Sequence, residues 1–144
     1  MNVISEYRLQ RRVNFYETDA AGIVHFSNFF RYMEEAEHEM WRAGGMSVAE
    51  RDATIGWPRV NVSFDYFRPL RYEEEFEILI RVVEIGEKRI RYNCTLSSGG
   101  STVASGSMTI ACVRRLPNEP MRSIPIPPEI ASRFKVAPAG PQTP

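Results

Sequence analysis

The sequence predicts an α+β domain in which a five-stranded antiparallel sheet is wrapped around one long central helix. Three observations predict it. Residues 27 to 43 repeat their apolar side chains with a helical period, whereas five other stretches alternate with a period of two. Four of those five stretches follow one another through short turns, a connection that suits antiparallel neighbours. One apolar helix against one curved sheet then buries both.

The elements follow in order. Tyr7, Leu9, Val13 and Phe15 share a parity and predict a first strand of roughly ten residues. From Ser27 to Ala43, Phe29, Met33, Ala36 and Met40 recur at helical spacing, with Arg31, Glu34, Glu35, Glu37, His38 and Glu39 between them. Ser27 or Asn28 is placed to cap its start, and Gly44-Gly45 closes it. Phe30, Tyr32 and Trp41 lie off that stripe, so a wide arc of the helix is expected to be covered. Ser47 to Glu50 has capping-box spacing and predicts a short second helix. Val60 to Tyr66, Phe76 to Val82 and Ile90 to Leu96 alternate as strands. Turns are expected at Gly86-Glu87-Lys88 and at Ser97 to Gly100. The last run, Thr102 to Arg114, carries small residues on both faces, which calls for close packing. Eight of the ten prolines lie at or after Pro117, so residues 117–144 read as a tail behind a domain of residues 1–116. Within it Pro128 to Phe134 predicts one helical turn, and the last residues read as disordered.

Composition narrows the function. The 144 residues fit one domain, with 43% hydrophobic residues to build its core. Eighteen basic residues balance eighteen acidic ones, which argues against nucleic acid as the main partner. No apolar run reaches the length of a membrane span, and Met1 to Glu6 lacks a signal-peptide layout, so cytoplasm is the expected compartment. Cys94 and Cys112 fall in strand-like segments and are expected to be buried thiols. Two histidines and no cysteine cluster give no metal-type spacing.

The most informative stretch runs from Phe15 to Asn28, out of the first strand and into the helix. It holds Asp19 in a loop of small residues and then the backbone N–H groups that open the helix. An acid facing a helix N-terminus can attack a carbonyl and hold the resulting oxyanion, so the pairing suggests acyl transfer. Asp19 can equally be a turn or cap residue, the ordinary work of an aspartate before a helix. Glu17 nearby reads as solvated or strand-terminal. His25 can orient a ligand, donate a proton to a leaving group, or pack at a subunit boundary. His38, between Glu37 and Glu39, reads as a surface histidine. Ser105 and Ser107 have no His and Asp to complete a triad.

From Tyr7 to Arg114 the chain resembles the hotdog-fold acyl-CoA thioesterases of the 4-hydroxybenzoyl-CoA thioesterase-like branch. The resemblance is sharpest over Tyr16-Glu17-Thr18-Asp19-Ala20-Ala21-Gly22-Ile23-Val24-His25-Phe26-Ser27-Asn28, followed by Arg31-Tyr32. It implies that Asp19 is the catalytic carboxylate, as nucleophile or as general base on water. It puts the Phe26 backbone N–H at the thioester carbonyl and has Gly22 let backbone and ligand approach closely. It implies further that Ile23, Phe26 and Phe29 line an acyl pocket and that Asn28 supports the loop. Lys88 and Arg89 match a region that contacts coenzyme A phosphates in similar proteins. A common subgroup carries Tyr then His where this chain has His25 then Phe26; the inversion bears on the His25 side chain and leaves the Phe26 backbone untouched.

The resemblance implies hydrolysis of an acyl-CoA thioester without a cofactor, coenzyme A being part of the substrate. It also implies a homodimer or homotetramer that continues the sheet, with sites at the subunit interface. Two other outcomes stay open. One is a hotdog hydratase or dehydratase using His25 with an acid such as Glu35; the other is a module that binds acyl thioesters without turnover.

Overall fold

In a computed structural model, which describes residues 3–139, the elements are β1 (Glu6–Arg12), a 3₁₀ turn (Phe15–Glu17), α1 (Asn28–Ala43), β2 (Ile55–Gly56) and β3 (Arg59–Tyr66). There follow β4 (Glu75–Ile85), β5 (Arg89–Ser98), β6 (Ser101–Ala111), β7 (Val113–Arg114), β8 (Arg122–Ser123) and α2 (Pro128–Ala131). The main sheet has five strands in the order β1-β4-β5-β6-β3, every pair antiparallel. The fold class is thus the one expected, with α1 at 16 residues.

The helix stripe read from the sequence is the buried one. Phe29, Met33, Ala36 and Met40 are enclosed, and Tyr32 and Trp41 widen the covered arc. Facing them are the inward parities of the central strands: Phe76, Ile78, Ile80 and Val82 on β4, Tyr92, Cys94 and Leu96 on β5, and Met108 and Ile110 on β6. Trp41 Nε1 donates to the Tyr92 hydroxyl at 3.0 Å, a buried bond that fixes helix to sheet. Cys94 and Cys112 are free and buried, and burial pushes the Cys94 thiol up to about 12. Among the described residues no helix is long and apolar enough to cross a membrane.

Four local expectations are corrected. The first strand ends at Arg12, because Glu17 folds back to accept the Asn14 N–H at 2.8 Å and winds Phe15–Glu17 into a 3₁₀ turn that leaves Phe15 exposed. The helix opens at Asn28 without a side-chain cap, since the Ser27 hydroxyl lies 2.7 Å from His25 Nδ1 instead. No helix forms at Ser47–Glu50; Ser47 Oγ accepts the Ala49 N–H at 3.2 Å and closes a turn. The last run breaks at Cys112, whose N–H bonds to the Lys88 carbonyl, and the chain steps into a small three-stranded sheet ordered β2-β7-β8. Beyond Pro117 the chain adds β8, the predicted turn α2, and the buried side chains Ile126 and Phe134. The expectation for the final residues falls on 140–144, outside the described residues.

Gly106 on β6 has a steric cause. A Cβ there would come within 2.4 Å of the Ser63 carbonyl oxygen and 2.7 Å of the Phe64 ring on β3. Gly106→Ala is therefore expected to destabilise the domain by about 1–3 kcal/mol, read from chemical denaturation midpoints.

Glu37 is fully enclosed on α1 and ion-paired with Arg59 at the start of β3. Its other carboxylate oxygen has no partner among the described residues. Burial pushes it up to about 7, against the pull of the Arg59 charge. A carboxyl whose folded pKa lies above its unfolded value favours the native state at low pH, and that stability is lost as pH rises between the two. Between about pH 4.5 and 7 the wild type should lose stability relative to Glu37→Gln, at up to about 1.4 kcal/mol per pH unit. Urea titrations across that range check it, and parallel profiles would count against a protonated Glu37.

Candidate active site

The loop between β1 and α1 is a short antiparallel ladder. The His25 N–H bonds to the Glu17 carbonyl at 2.9 Å, Thr18 pairs with Val24, and the Asp19 N–H bonds to the Ile23 carbonyl at 2.8 Å. Ala20, Ala21 and Gly22 turn the chain between these two sides. Gly22 sits at φ +80°, the left-handed region, while a Cβ there would meet nothing within 4 Å. Within the chain, then, the backbone angle and not crowding calls for glycine.

Asp19 is half-buried at this turn. Its Oδ1 accepts the Ala21 N–H at 2.8 Å and, at a long 3.5 Å, the Ile23 N–H. Among the described residues Oδ2 takes no hydrogen bond. One oxygen therefore performs the turn function that the sequence left open, and the other stays available. Ile23, opposite, is also bridged to Arg71, which brings the segment before β4 alongside the loop.

At the helix end, backbone donors are assigned one by one. His25 N–H goes to Glu17, Ser27 N–H to His25 Nδ1 at 3.2 Å, and Asn28 N–H to the His25 carbonyl at 2.9 Å. The Phe26 N–H alone in this run has no partner among the described residues, in a residue 63% exposed. The Phe26 carbonyl is held by the Tyr66 hydroxyl of β3 at 2.9 Å, which fixes the peptide on its other side. The result is an amide without a partner among the described residues, its peptide held through the Phe26 carbonyl, just before the positive end of a 16-residue helix.

The remaining expected residues are distributed around this pair. Asn28 Nδ2 donates to the Glu17 carbonyl at 2.8 Å, tying helix to loop. Ile23 is half-buried, whereas Phe29 is buried in the core against Phe64 and Tyr66. His25 is half-buried, stacked on Phe26 at 4.5 Å, with Nδ1 engaged by Ser27. Glu35 is held by Arg11 through bonds of 2.9 and 3.0 Å, so the acid that a hydratase reading needs is already committed. His38 is half-buried with Nε2 3.8 Å from Glu37, and burial holds its imidazole below the usual value. Lys88 and Arg89 are exposed at the far end of β4, whose first residue pairs with Arg12 beside the loop. Eleven residues of strand separate them from it, roughly 35 Å along the same chain.

Glu17, read from the sequence as solvated or strand-terminal, is neither, since it ends the 3₁₀ turn after β1. It is buried, and Arg11 grips both its oxygens at 2.8 and 2.6 Å. Burial disfavours its charge, but the Arg11 guanidinium and the Asn14 N–H hold the carboxyl below its usual range. The one sequence signal for this was Arg11, which stands on the inward parity of β1 where an apolar residue would be ordinary. Among the described residues no three His, Cys, Asp or Glu side chains converge as metal ligands. A cleft of about 470 Å³ lies instead between Trp41, Met46, Ile55, Trp57 and Ile130, and no residue of the Asp19 loop lines it.

A family model described as the thioesterase-like superfamily matches residues 13–134, a span that contains the Asp19 loop, α1 and four of the five strands of the main sheet, β3 to β6. The chain belongs to that superfamily. A 1,4-dihydroxy-2-naphthoyl-CoA hydrolase of Synechococcus elongatus is 29% identical over 114 residues, 76% of this chain and 83% of that protein. An Aquifex aeolicus protein provisionally named an esterase is 44% identical over 77 residues, which span 53% of this chain and 60% of that protein's length. The crystal structure of a hypothetical protein from Aquifex aeolicus superposes with a TM-score of 0.82 at 32% identity, covering 90% of this chain and 99% of that one.

Proposed function

We propose that this chain hydrolyses an acyl-CoA thioester to a free carboxylic acid and coenzyme A. The observation that carries the reading is the Phe26 N–H, without a partner among the described residues, just before α1 and next to the ladder that holds an Asp19 carboxylate with one oxygen likewise unpartnered among them. The thioester oxygen lies at that N–H, where the helix end stabilises the charge that develops on it. Asp19 then works in one of two ways. As general base it takes a proton from water, whose oxygen adds to the carbonyl carbon; the tetrahedral oxyanion collapses and expels the coenzyme A thiolate, which is reprotonated. As nucleophile it forms an acyl anhydride with release of the thiolate, and water then hydrolyses the anhydride. The helix dipole and the amide supply the electrostatics in both routes, so the reaction drawn here needs no cofactor.

An aromatic acyl group suits the surroundings. Phe15, Tyr16, Phe26, Tyr66 and Tyr72 are exposed near the loop or the segment bridged to it, and the Synechococcus elongatus relative is named for an aryl-CoA substrate. Thiol release over a panel of aryl-, short- and long-chain acyl-CoAs is expected to be fastest with the aryl members. Asp19→Asn should lower kcat by at least about 10²-fold with the melting temperature little changed. Saturable binding without thiol release, or hydration of an enoyl-CoA with the thioester intact, would replace this reading.

The proposed assembly is a homodimer, or a tetramer built from it, formed by pairing β3 with a second β3. That strand is an edge of the sheet, and it leaves Val60 and Val62 46% and 44% exposed. Light scattering should return two or four times the chain mass of 16.5 kDa, and a mass of one chain would refute the pairing.

A further inference from the structure

We propose that Arg11 and Glu17 form the positioning pair of the active site, setting the Asp19 loop against the amide end of α1; the inference rests on the thioesterase reading above. Arg11 stands on β1, anchored by its register with Phe76 on β4. All five of its N–H groups are used. Nε–H and one Nη2–H donate to Glu35 at 2.9 and 3.0 Å, Nη1–H and Nη2–H to Glu17 at 2.8 and 2.6 Å, and a second Nη1–H to the Arg12 carbonyl at 3.0 Å. The guanidinium carbon also sits 4.9 Å from the centre of the Tyr32 ring, whose buried hydroxyl has no partner among the described residues. One planar group thereby joins the sheet, the entry to the loop, and the helix.

Glu17 passes that anchorage on. Its carboxylate also accepts the Asn14 N–H, which sets the 3₁₀ turn, and its carbonyl accepts the His25 N–H and the Asn28 amide. Those last two bonds fix the residues on either side of the free Phe26 N–H, while Thr18 and Asp19 follow Glu17 directly. With Arg11 and Glu17 side chains only 14% and 6% exposed, the pair has little freedom to relax. Neither residue touches substrate in this arrangement. Their effect on rate comes from holding two reacting groups at a distance where a misplacement of about 1 Å costs on the order of 10²-fold.

The test separates positioning from bulk stability. Arg11→Lys keeps the charge but cannot fork to two carboxylates, and Glu17→Gln keeps the shape without the charge. Each is expected to lower kcat about 10- to 100-fold with KM within about twofold, in protein still folded by circular dichroism. Replacing the pair with apolar residues, Arg11→Met with Glu17→Leu, should recover melting temperature relative to either single variant without recovering kcat. Arg8→Gln, on the same strand as Arg11, removes an exposed ion pair to Glu77 of β4; it serves as the control and should keep the wild-type rate. Wild-type kcat in both single variants, or a kcat that returns with stability in the double variant, overturns the positioning role while the hydrolase reading stands. A wild-type protein that releases no thiol across the acyl-CoA panel overturns the hydrolase reading, and the positioning role falls with it.

Discussion

The carbonyl oxygen of Glu17 accepts two hydrogen bonds, from the His25 N–H and from the Asn28 side chain, and the candidate site is built outward from it. The first bond closes the ladder that carries Asp19; the second ties the opening residue of α1 to the same point. A loop of small residues has little side-chain packing of its own to hold its shape. Its geometry has to be imposed by its ends, and both ends meet at one peptide group. That arrangement explains how a turn containing Ala20, Ala21 and Gly22 can present a carboxylate reproducibly without bulky neighbours.

Two enclosed carboxylates on this framework show what burial alone does not decide. Glu17 and Glu37 are both withdrawn from water and both paired with arginine. Glu17 receives two guanidinium bonds and a backbone N–H, and its carboxyl is held below the usual range. Glu37 has one oxygen on Arg59 and the other without a partner among the described residues, and burial drives it up to about 7. The count of donors aimed at the oxygens separates the two cases. Glu17 is thereby suited to be a fixed charge in a scaffold, whereas Glu37 couples the middle of α1 to the start of β3 in a pH-dependent way.

Much of this architecture was legible in the sequence because periodicity reports burial directly. Phe29, Met33, Ala36 and Met40 had to lie on one helix face, and Phe76, Ile78, Ile80 and Val82 on one strand face, since no other arrangement buries them together. The turn that holds Asp19 and the helix start were legible for a related reason, a carboxylate among small residues just before a helical period. The errors arose where polar groups override pattern. Glu17 ended β1 early by folding onto Asn14, the Ser47 hydroxyl closed a turn instead of capping a helix, and Cys112 left the sheet to bond with Lys88. Hydrogen bonds between residues distant in sequence leave no periodic trace, so Arg11, Glu17 and Glu35 could not be joined by reading along the chain.

The distribution of exposed apolar surface adds a last constraint. An isolated chain with Val60 and Val62 uncovered on an unpaired strand, and with Phe26 and Tyr66 uncovered beside the free amide, leaves apolar area in water that would be stabilised by cover. The Tyr66 hydroxyl links the two regions physically, because it ends β3 and holds the Phe26 carbonyl. Whatever orders β3 therefore also orders the peptide that presents the Phe26 N–H. On the proposed pairing of two β3 strands, the dimer contact and the oxyanion contact are mechanically one structure. The roughly 35 Å of strand between a chain's own loop and its Lys88-Arg89 turn means that, within the proposed assembly, Lys88 and Arg89 would meet a coenzyme A phosphate at this loop only from another copy of the chain, whereas Arg71 lies beside the loop of the same chain.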